Sequence, residues 1–306
     1  RRCAPRGAVP RKDGGAARGI VDMGAPRSEL HTRPEYEPVT SLNAACRAAK
    51  ERHEVKPRFS DLAHNASVLR HIADTMDEPV YALLGGRTKA TLPVYCTTAR
   101  PDLAKGLGFV GAKVPCPYGP SAGDAGFAKN VAFFRQWRDK VGPDYPLALD
   151  CYMALTTPYA IKLGRALEPY GLKWLEEFLP PDDYEGYKDV KAALPGVLLS
   201  TAEHEYTRYG FRRLLRDRSV DIIQPDVTWC GGLTEARRVV AMAAADDVLV
   251  VPHGSSVYAY HLQYAFPNCP VAEFINLSRP VWKSKFYGAF EQASRCRLII
   301  NTRHTG

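Results

Sequence analysis

The chain has 306 residues, 45% of them hydrophobic and 24% charged, which suits two ordinary domains or one α/β barrel of roughly 250 residues with extensions. That length buries a sizeable core without disulfide support, and no apolar run approaches the ~18 residues of a membrane span, so collagen, coiled-coil, wholly disordered and membrane-partnered classes are set aside. The net charge of +8 is uneven: residues 1–60 carry +6, residues 277–306 carry +5 and the 61–276 body carries −3, and because the basic ends lack interleaved aromatics or a nucleic-acid motif, no nucleic-acid partner is expected.

Eight cysteines are scattered at irregular gaps with no CxxC pair. In a chain of this size they read as reduced, mostly buried thiols of an intracellular, cytoplasmic protein. Residues 1–60 are rich in Gly, Pro and Arg and read as an atypical, flexible segment, with one short helix over 41–53. From 61 the pattern changes. LAHNASVLRHIADTM predicts a helix over 61–77 that Pro79 ends, and Gly85-Gly86 turns the chain.

Eight β-rich runs follow, at 91–97, 109–114, 146–151, 172–177, 197–203, 221–227, 248–253 and 270–276. Helical stretches are predicted at 124–140, 157–170, 183–194, 207–218 and 233–246. Strands alternating with helices mean βαβ units and a parallel sheet. Eight units predict a closed (β/α)8 barrel or a close variant over 61–276. An open doubly wound sheet is the alternative, although no GxGxxG follows an early strand. Residues 277–306 read as an atypical tail.

Working residues of such a barrel stand at the C-terminal ends of its strands. Seven of the eight runs finish in an ionisable residue: Lys113, Asp150, Glu176 (followed by Glu177), Glu203, Asp226, His253 and Glu273. Charged side chains are seldom buried unless paired or bound to metal. Asp150, Glu176 and Glu203 come from neighbouring strands, ~4.8 Å apart, and three carboxylates that close stay ionised only around a cation. Oxygen-only donors favour a hard ion, Mg²⁺ before Mn²⁺ or Zn²⁺. Asp226 and His253, also on neighbouring strands, form a candidate dyad with His253 as general base. Lys113 is a candidate oxyanion stabiliser, or a plain ion-pair partner of Asp150. Glu273 is a candidate hydrogen-bonding partner for a substrate oxygen. A Schiff-base aldolase built on Lys113 is a competing reading that leaves the three carboxylates unexplained, and a catalytically silent barrel is another.

The segments YCTTARPDLAKGLGFVGAKVP, GPSAGDAG, KWLEEFLPPDDYEGY, STAEHE, DIIQPDVTWCGGLTEA and VVPHGSSVYAYH resemble the L-rhamnonate dehydratases, a mandelate racemase-like family of the enolase superfamily, over roughly 66–277. The resemblance implies a (β/α)7β TIM-like barrel with Mg²⁺ on Asp150, Glu176 and Glu203. It implies His253 as base, Asp226 as its partner and Glu273 as a stabiliser of the reacting substrate. The implied partner is a small sugar acid, and the implied assembly a homo-oligomer. The implied reaction removes the proton next to the carboxylate and expels the 3-hydroxyl, giving a 2-keto-3-deoxy acid and water. The family also has an N-terminal α+β capping domain that supplies a His and an Arg. Residues 1–60 do not align to it, so the capping region reads as truncated or aberrant. His31, Arg33 and His64 are present, but position alone does not assign them.

Overall fold

A computed structural model describes residues 78–254, 257–275 and 297–298. The 1–60 segment, the predicted helices at 41–53 and 61–77, and the 277–306 tail apart from Arg297 and Leu298 lie outside the described residues.

Short runs of Leu, Val, Ile and aromatic residues form eight strands. They are β1 (Leu92–Thr97), β2 (Ala112–Pro115), β3 (Leu147–Asp150), β4 (Leu172–Glu176), β5 (Leu199–Thr201), β6 (Ile222–Ile223), β7 (Leu249–Val250) and β8 (Ala272–Ile275). All eight are parallel, in the order β7-β6-β5-β4-β3-β2-β1-β8, so the last strand returns to the first and the sheet curls into a barrel. After α1 (Val80–Leu83), seven helices connect the strands: α2 (Pro101–Gly106), α3 (Gly123–Val141), α4 (Thr157–Leu167), α5 (Tyr184–Ala193), α6 (Thr207–Arg216), α7 (Leu233–Ala245) and α8 (Val257–Ala265). This is the (β/α)7β arrangement. Among the described residues β7 and β8 share no ladder pair; Val250 N donates to Asn268 O (2.9 Å) and Gly254 N to Glu273 Oε2 (2.7 Å) across that seam. A two-residue strand, β9 (Arg297–Leu298), adds antiparallel to Leu92 and Pro93 of β1.

Two apolar layers follow from the period-two alternation of the strands. Outward residues such as Val114, Leu149, Leu175 and Leu199 join the helices in the main core. Phe134 and Val141 of α3 are buried there, each contributing roughly 1.5–3 kcal/mol. Inward residues Tyr95, Ala148, Trp174, Ile222 and Val251 plug the barrel interior. Above that plug the inward positions turn polar, with Lys113, Glu176, Gln224 and Glu273 at 0–1% exposure.

Local chemistry sets the helix ends. α5 starts where Asp183 accepts from Gly186 N at 3.0 Å, a side-chain N-cap. α3 stops at Gly142, whose φ of +83° suits glycine. There Arg138 donates to the carbonyls of Tyr170, Gly142, Tyr145 and Gly171 and ties the helix end to the turn before β4.

The structure differs from the sequence reading in two respects. The strands are shorter than the runs: 221–227 contracts to Ile222–Ile223 and 248–253 to Leu249–Val250. Asp226 and His253 therefore ride on loops beyond their strands, while Lys113 and Glu273 sit inside theirs. Helices α1, α2 and α8 were not expected. α2 spans only six residues, too few to show a period. α8 reads VYAYHLQYA, apolar and aromatic nearly throughout, so no polar stripe marks it.

Candidate active site at the barrel mouth

Lys113 is the hub of the polar tier. Its side chain is fully buried, and its Nζ forms an ion pair with Glu176 Oε1, lies 3.0 Å from Glu273 Oε1 and 3.4 Å from Asp150 Oδ2. Burial alone would lower its pKa, but Glu176, Glu273 and Asp150 overcome it and hold the ammonium proton well above the usual range. An amine kept protonated in this way is a poor Schiff-base nucleophile, which weighs against the aldolase reading.

Asp150 closes β3, opposite Pro115 on one side and Glu176 on the other. Its Oδ1 accepts from Tyr152 N at 3.0 Å. Glu176 closes β4, fully buried, with Oε2 accepting from Trp174 Nε1 (2.7 Å) and Gln224 Nε2 (2.9 Å). Desolvation pushes Glu176 up to about 8, against the pull of Lys113 and with added repulsion from Asp150 and Glu273. Glu203 lies two residues past β5. Desolvation pushes it up to about 9, Lys113 opposing and Glu177, Glu176 and Asp150 reinforcing.

Glu273 is the opposite case. Burial would raise it, yet Lys113, His253, the Gly254 N–H and the Thr97 hydroxyl hold it down to about 2. Thr97 Oγ1 donates to its Oε1 at 2.5 Å. His253 faces Glu203 Oε2 at 3.2 Å and Glu273 Oε2 at 3.4 Å through Nδ1. Desolvation lowers its pKa; Glu273, Asp226 and Asp150 resist, and Lys113 adds to the lowering.

The seven candidates therefore gather unevenly. Lys113, Asp150, Glu176 and Glu273 surround one ammonium, and Glu203, Glu273 and His253 form a second group. Asp226 Oδ1 accepts from Thr228 N (2.7 Å) and Oγ1 (2.6 Å), and it acts on His253 through charge. Among the described residues no three His, Cys, Asp or Glu side chains already close around a point where an ion would sit. The donor chemistry nonetheless suits a hard divalent ion. Three oxygen-bearing side chains stand at the ends of β3 and β4 and just past β5, and Glu176 and Glu203 hold their protons abnormally tightly because burial strips their charge of water and Lys113 offsets only part of that.

Two residues of this region were given no role by the sequence reading, Glu177 named there only beside Glu176 and His204 not at all. Glu177, at 0% side-chain exposure, accepts at Oε1 from Thr201 Oγ1 (2.8 Å), Ala202 N (2.8 Å) and Glu203 N (3.2 Å), and its Oε2 lies 2.9 Å from His204 Nδ1. It cradles the turn that carries Glu203. His204 lies between Tyr152 and Trp229, edge to face with each, its Nε2 4.0 Å from Glu203 Oε1. The available signal was the second carboxylate of Glu176-Glu177: strand alternation sends it toward the helix layer, where a charge needs partners.

A curled parallel sheet with carboxylates on successive strand ends defines an enolase-type barrel, and the chain belongs to the Enolase C-terminal domain-like family, whose model matches residues 103–297. Within that class it is 52% identical over 199 residues to an L-rhamnonate dehydratase of Saccharopolyspora erythraea, which takes in 65% of this chain and 51% of the relative. The crystal structure of L-rhamnonate dehydratase from Gibberella zeae matches at 45% identity with a TM-score of 0.72, covering 78% of this chain and 61% of that one. The same enzyme complexed with Mg matches equally, covering 59% of its own chain. A 3,6-anhydro-D-galactonate cycloisomerase from Zobellia galactanivorans follows at 25% identity and a TM-score of 0.70, covering 80% of this chain and 72% of that one. The chain thus spans about half the length of the curated relative it matches. No helix among the described residues is long and apolar enough to cross a membrane.

Proposed function

We propose that this chain carries the catalytic barrel of a Mg²⁺-dependent sugar-acid dehydratase, which converts L-rhamnonate or a close aldonate to the 2-keto-3-deoxy acid and water. The observation that carries the proposal is the set of oxygen-only donors on β3, β4 and the β5 loop, opposite an imidazole. The 52% identity to an L-rhamnonate dehydratase supports the substrate class.

Asp150, Glu176 and Glu203 would hold the ion. When bound there, a divalent ion supplies the positive charge that makes the C–H beside the substrate carboxylate acidic. His253 takes that proton, and the lowered pKa of its ring keeps it neutral and able to do so near pH 7. The imidazolium so formed returns the proton to the departing 3-hydroxyl, which leaves as water. Asp226 stabilises the imidazolium by charge. Lys113 is a fixed cation near the place where oxygen charge develops, and Glu273 is a fixed anion that favours the imidazolium of His253.

A panel of aldonic acids incubated with the full chain and Mg²⁺, scored by mass for loss of water to a 2-keto-3-deoxy acid, tests the reading. Turnover of L-rhamnonate or a near epimer is expected. It should disappear in excess EDTA and fall at least about 10²-fold in His253→Asn. Undiminished turnover in EDTA, or borohydride trapping of substrate on Lys113, overturns it.

A further inference from the structure

Beyond the ionisable residues of the mouth, two thiols occupy matching positions on neighbouring strands. Pro115 of β2 is the register partner of Asp150 of β3. One residue further along each strand stand Cys116 and Cys151. The ladder continues through both: Cys116 N donates to Asp150 O at 2.7 Å, and Cys151 N to Glu176 O at 2.9 Å. Adjacent parallel strands run about 4.8 Å apart, inside the 4.4–6.8 Å Cα separation that a disulfide spans.

The alternation of the strands points both side chains the same way. Lys113 and Ala148 face the barrel interior; Val114 and Leu149 face the helix layer. Two residues past the latter pair, Cys116 and Cys151 face the helix layer too, Cys151 inside the main core and Cys116 packed against it. The Cys116 thiol donates to Tyr118 O at 3.6 Å, and the two thiols are close enough to perturb each other's titration, Cys116 downward and Cys151 upward. Both cysteines are free in the structure.

The sequence around Cys116 makes the placement stiff. It reads Pro115-Cys116-Pro117. A residue before proline is confined to extended conformations, and each proline fixes its own φ. Cys116 therefore keeps the strand direction beyond the end of β2 and holds its thiol over its neighbour, with little chain entropy left to lose on closing a bond. Accessibility divides the roles. Cys116 is partly exposed, whereas Cys151 is 3% exposed.

We propose that Cys116 and Cys151 form an oxidisable dithiol, a reversible modification site that takes a small-molecule disulfide of the glutathione type. The Cys116 thiolate attacks one sulfur of the reagent, forming a mixed disulfide and expelling one thiolate. Cys151 then attacks Cys116 Sγ, its proton passing to the departing thiolate. The Cys116–Cys151 bond forms, the mixed disulfide breaks, and the second thiolate leaves. Two protein thiols give up two electrons and two protons, and the reagent becomes two thiols. The resulting bridge ties the ends of β2 and β3 directly behind Asp150.

Tryptic mapping of the native full chain decides it. The protein is treated with oxidised glutathione, blocked with N-ethylmaleimide and digested. Peptides 114–129 and 141–162 each contain one cysteine, and they should appear linked, two hydrogens lighter than their sum, and separate on reduction. In Cys151→Ser the same treatment should leave glutathione on Cys116; in Cys116→Ser, Cys151 should remain unmodified. Recovery from the wild type of both peptides singly alkylated, of a stable glutathione adduct on Cys116 without the link, or of either cysteine bridged elsewhere overturns the proposal. The wild-type map suffices even if a variant fails to fold.

Discussion

At the scale of single residues, the polar tier of the barrel is a balance of charges out of reach of water. Lys113 is its only cation among the described neighbours, set against Asp150, Glu176 and Glu273. Removing one partner of a buried ion pair leaves the other charge uncompensated and costs about 3–5 kcal/mol. Lys113→Met should therefore lower the urea midpoint by that equivalent. Adding Glu176→Gln should restore part of the loss, because it deletes an orphaned charge; strictly additive midpoints would refute the coupling. Glu177 works through another group. Glu177→Gln keeps the shape of the side chain but sets an amide NH₂ among donors that now share one carboxylate oxygen. The Thr201–Glu203 turn should loosen, and Mg²⁺ affinity measured by calorimetry should fall about 10–100-fold, the usual cost of losing support behind a ligand. Unchanged affinity would make Glu177 a fold residue only. That Asp150 and Glu176 lie side by side was legible, since a charge closing an apolar run is conspicuous. The grip of Glu177 was not. It depends on left-handed backbone at two non-glycine residues, Glu177 (φ +43°) and Ala202 (φ +88°), and neither carries a mark in the sequence. Asp226 and His253 interact by charge, and no hydrogen bond joins them among the described residues: the runs that held both residues end early, and on the loop beyond β6 Asp226 Oδ1 accepts from Thr228.

At the scale of elements, alternation of strand and helix was readable wherever a helix was long enough to show its apolar face. α3, α4, α5, α6 and α7 all fall within a few residues of their predicted spans. α2 and α8 were hidden by shortness and by uniform apolarity. Packing between helices was not readable at all. Gly164 of α4 faces Leu194 at the end of α5, where a β-carbon would stand 2.4 Å from Leu194 Cδ1. Gly164→Ala gains about 1 kcal/mol of helix propensity and displaces only the flexible end of a leucine, so a near-neutral midpoint is expected. Gly164→Val adds two branches to the same gap and should cost about 1–3 kcal/mol through overpacking. Urea titration of both variants tests this, and a valine variant as stable as the alanine one would show that the α4–α5 contact is looser than drawn. The cap of α5 is independent of that contact: Asp183→Ala removes the bond to Gly186 N and should cost about 1 kcal/mol.

At the scale of the molecule, eight runs predicted a barrel, and the closure of β8 onto β1 delivers one. The sequence did not reveal where the ring is weakest. Without a ladder between β7 and β8 among the described residues, α8 and its contacts carry that sector. Lys89, just before β1, donates to the carbonyls of Gln263 (2.7 Å), Phe266 (2.8 Å) and Cys269 (2.8 Å), fastening the end of α8. Tyr81 of α1 lies against His261 and Tyr264, with ring centroids 5.8 Å apart in each case. His261 is the titrating part of this joint. Its Nδ1 has no hydrogen-bond partner among the described residues, and burial lowers its pKa to about 4. In the unfolded chain the ring titrates near 6.5. Between those values the unfolded state binds a proton that the folded state refuses, so stability falls as pH drops. The contribution is complete above about pH 6.5 and lost by about pH 4. Allowing for partial exposure of the ring, it amounts to roughly 2–3 kcal/mol. His261→Phe keeps an aromatic ring against Tyr81 and removes the proton site. Its urea midpoint, followed from pH 7 to pH 4, should decline less steeply than that of the wild type by this amount. Parallel curves would mean that the ring charges freely in the folded barrel and that acid opens the molecule elsewhere.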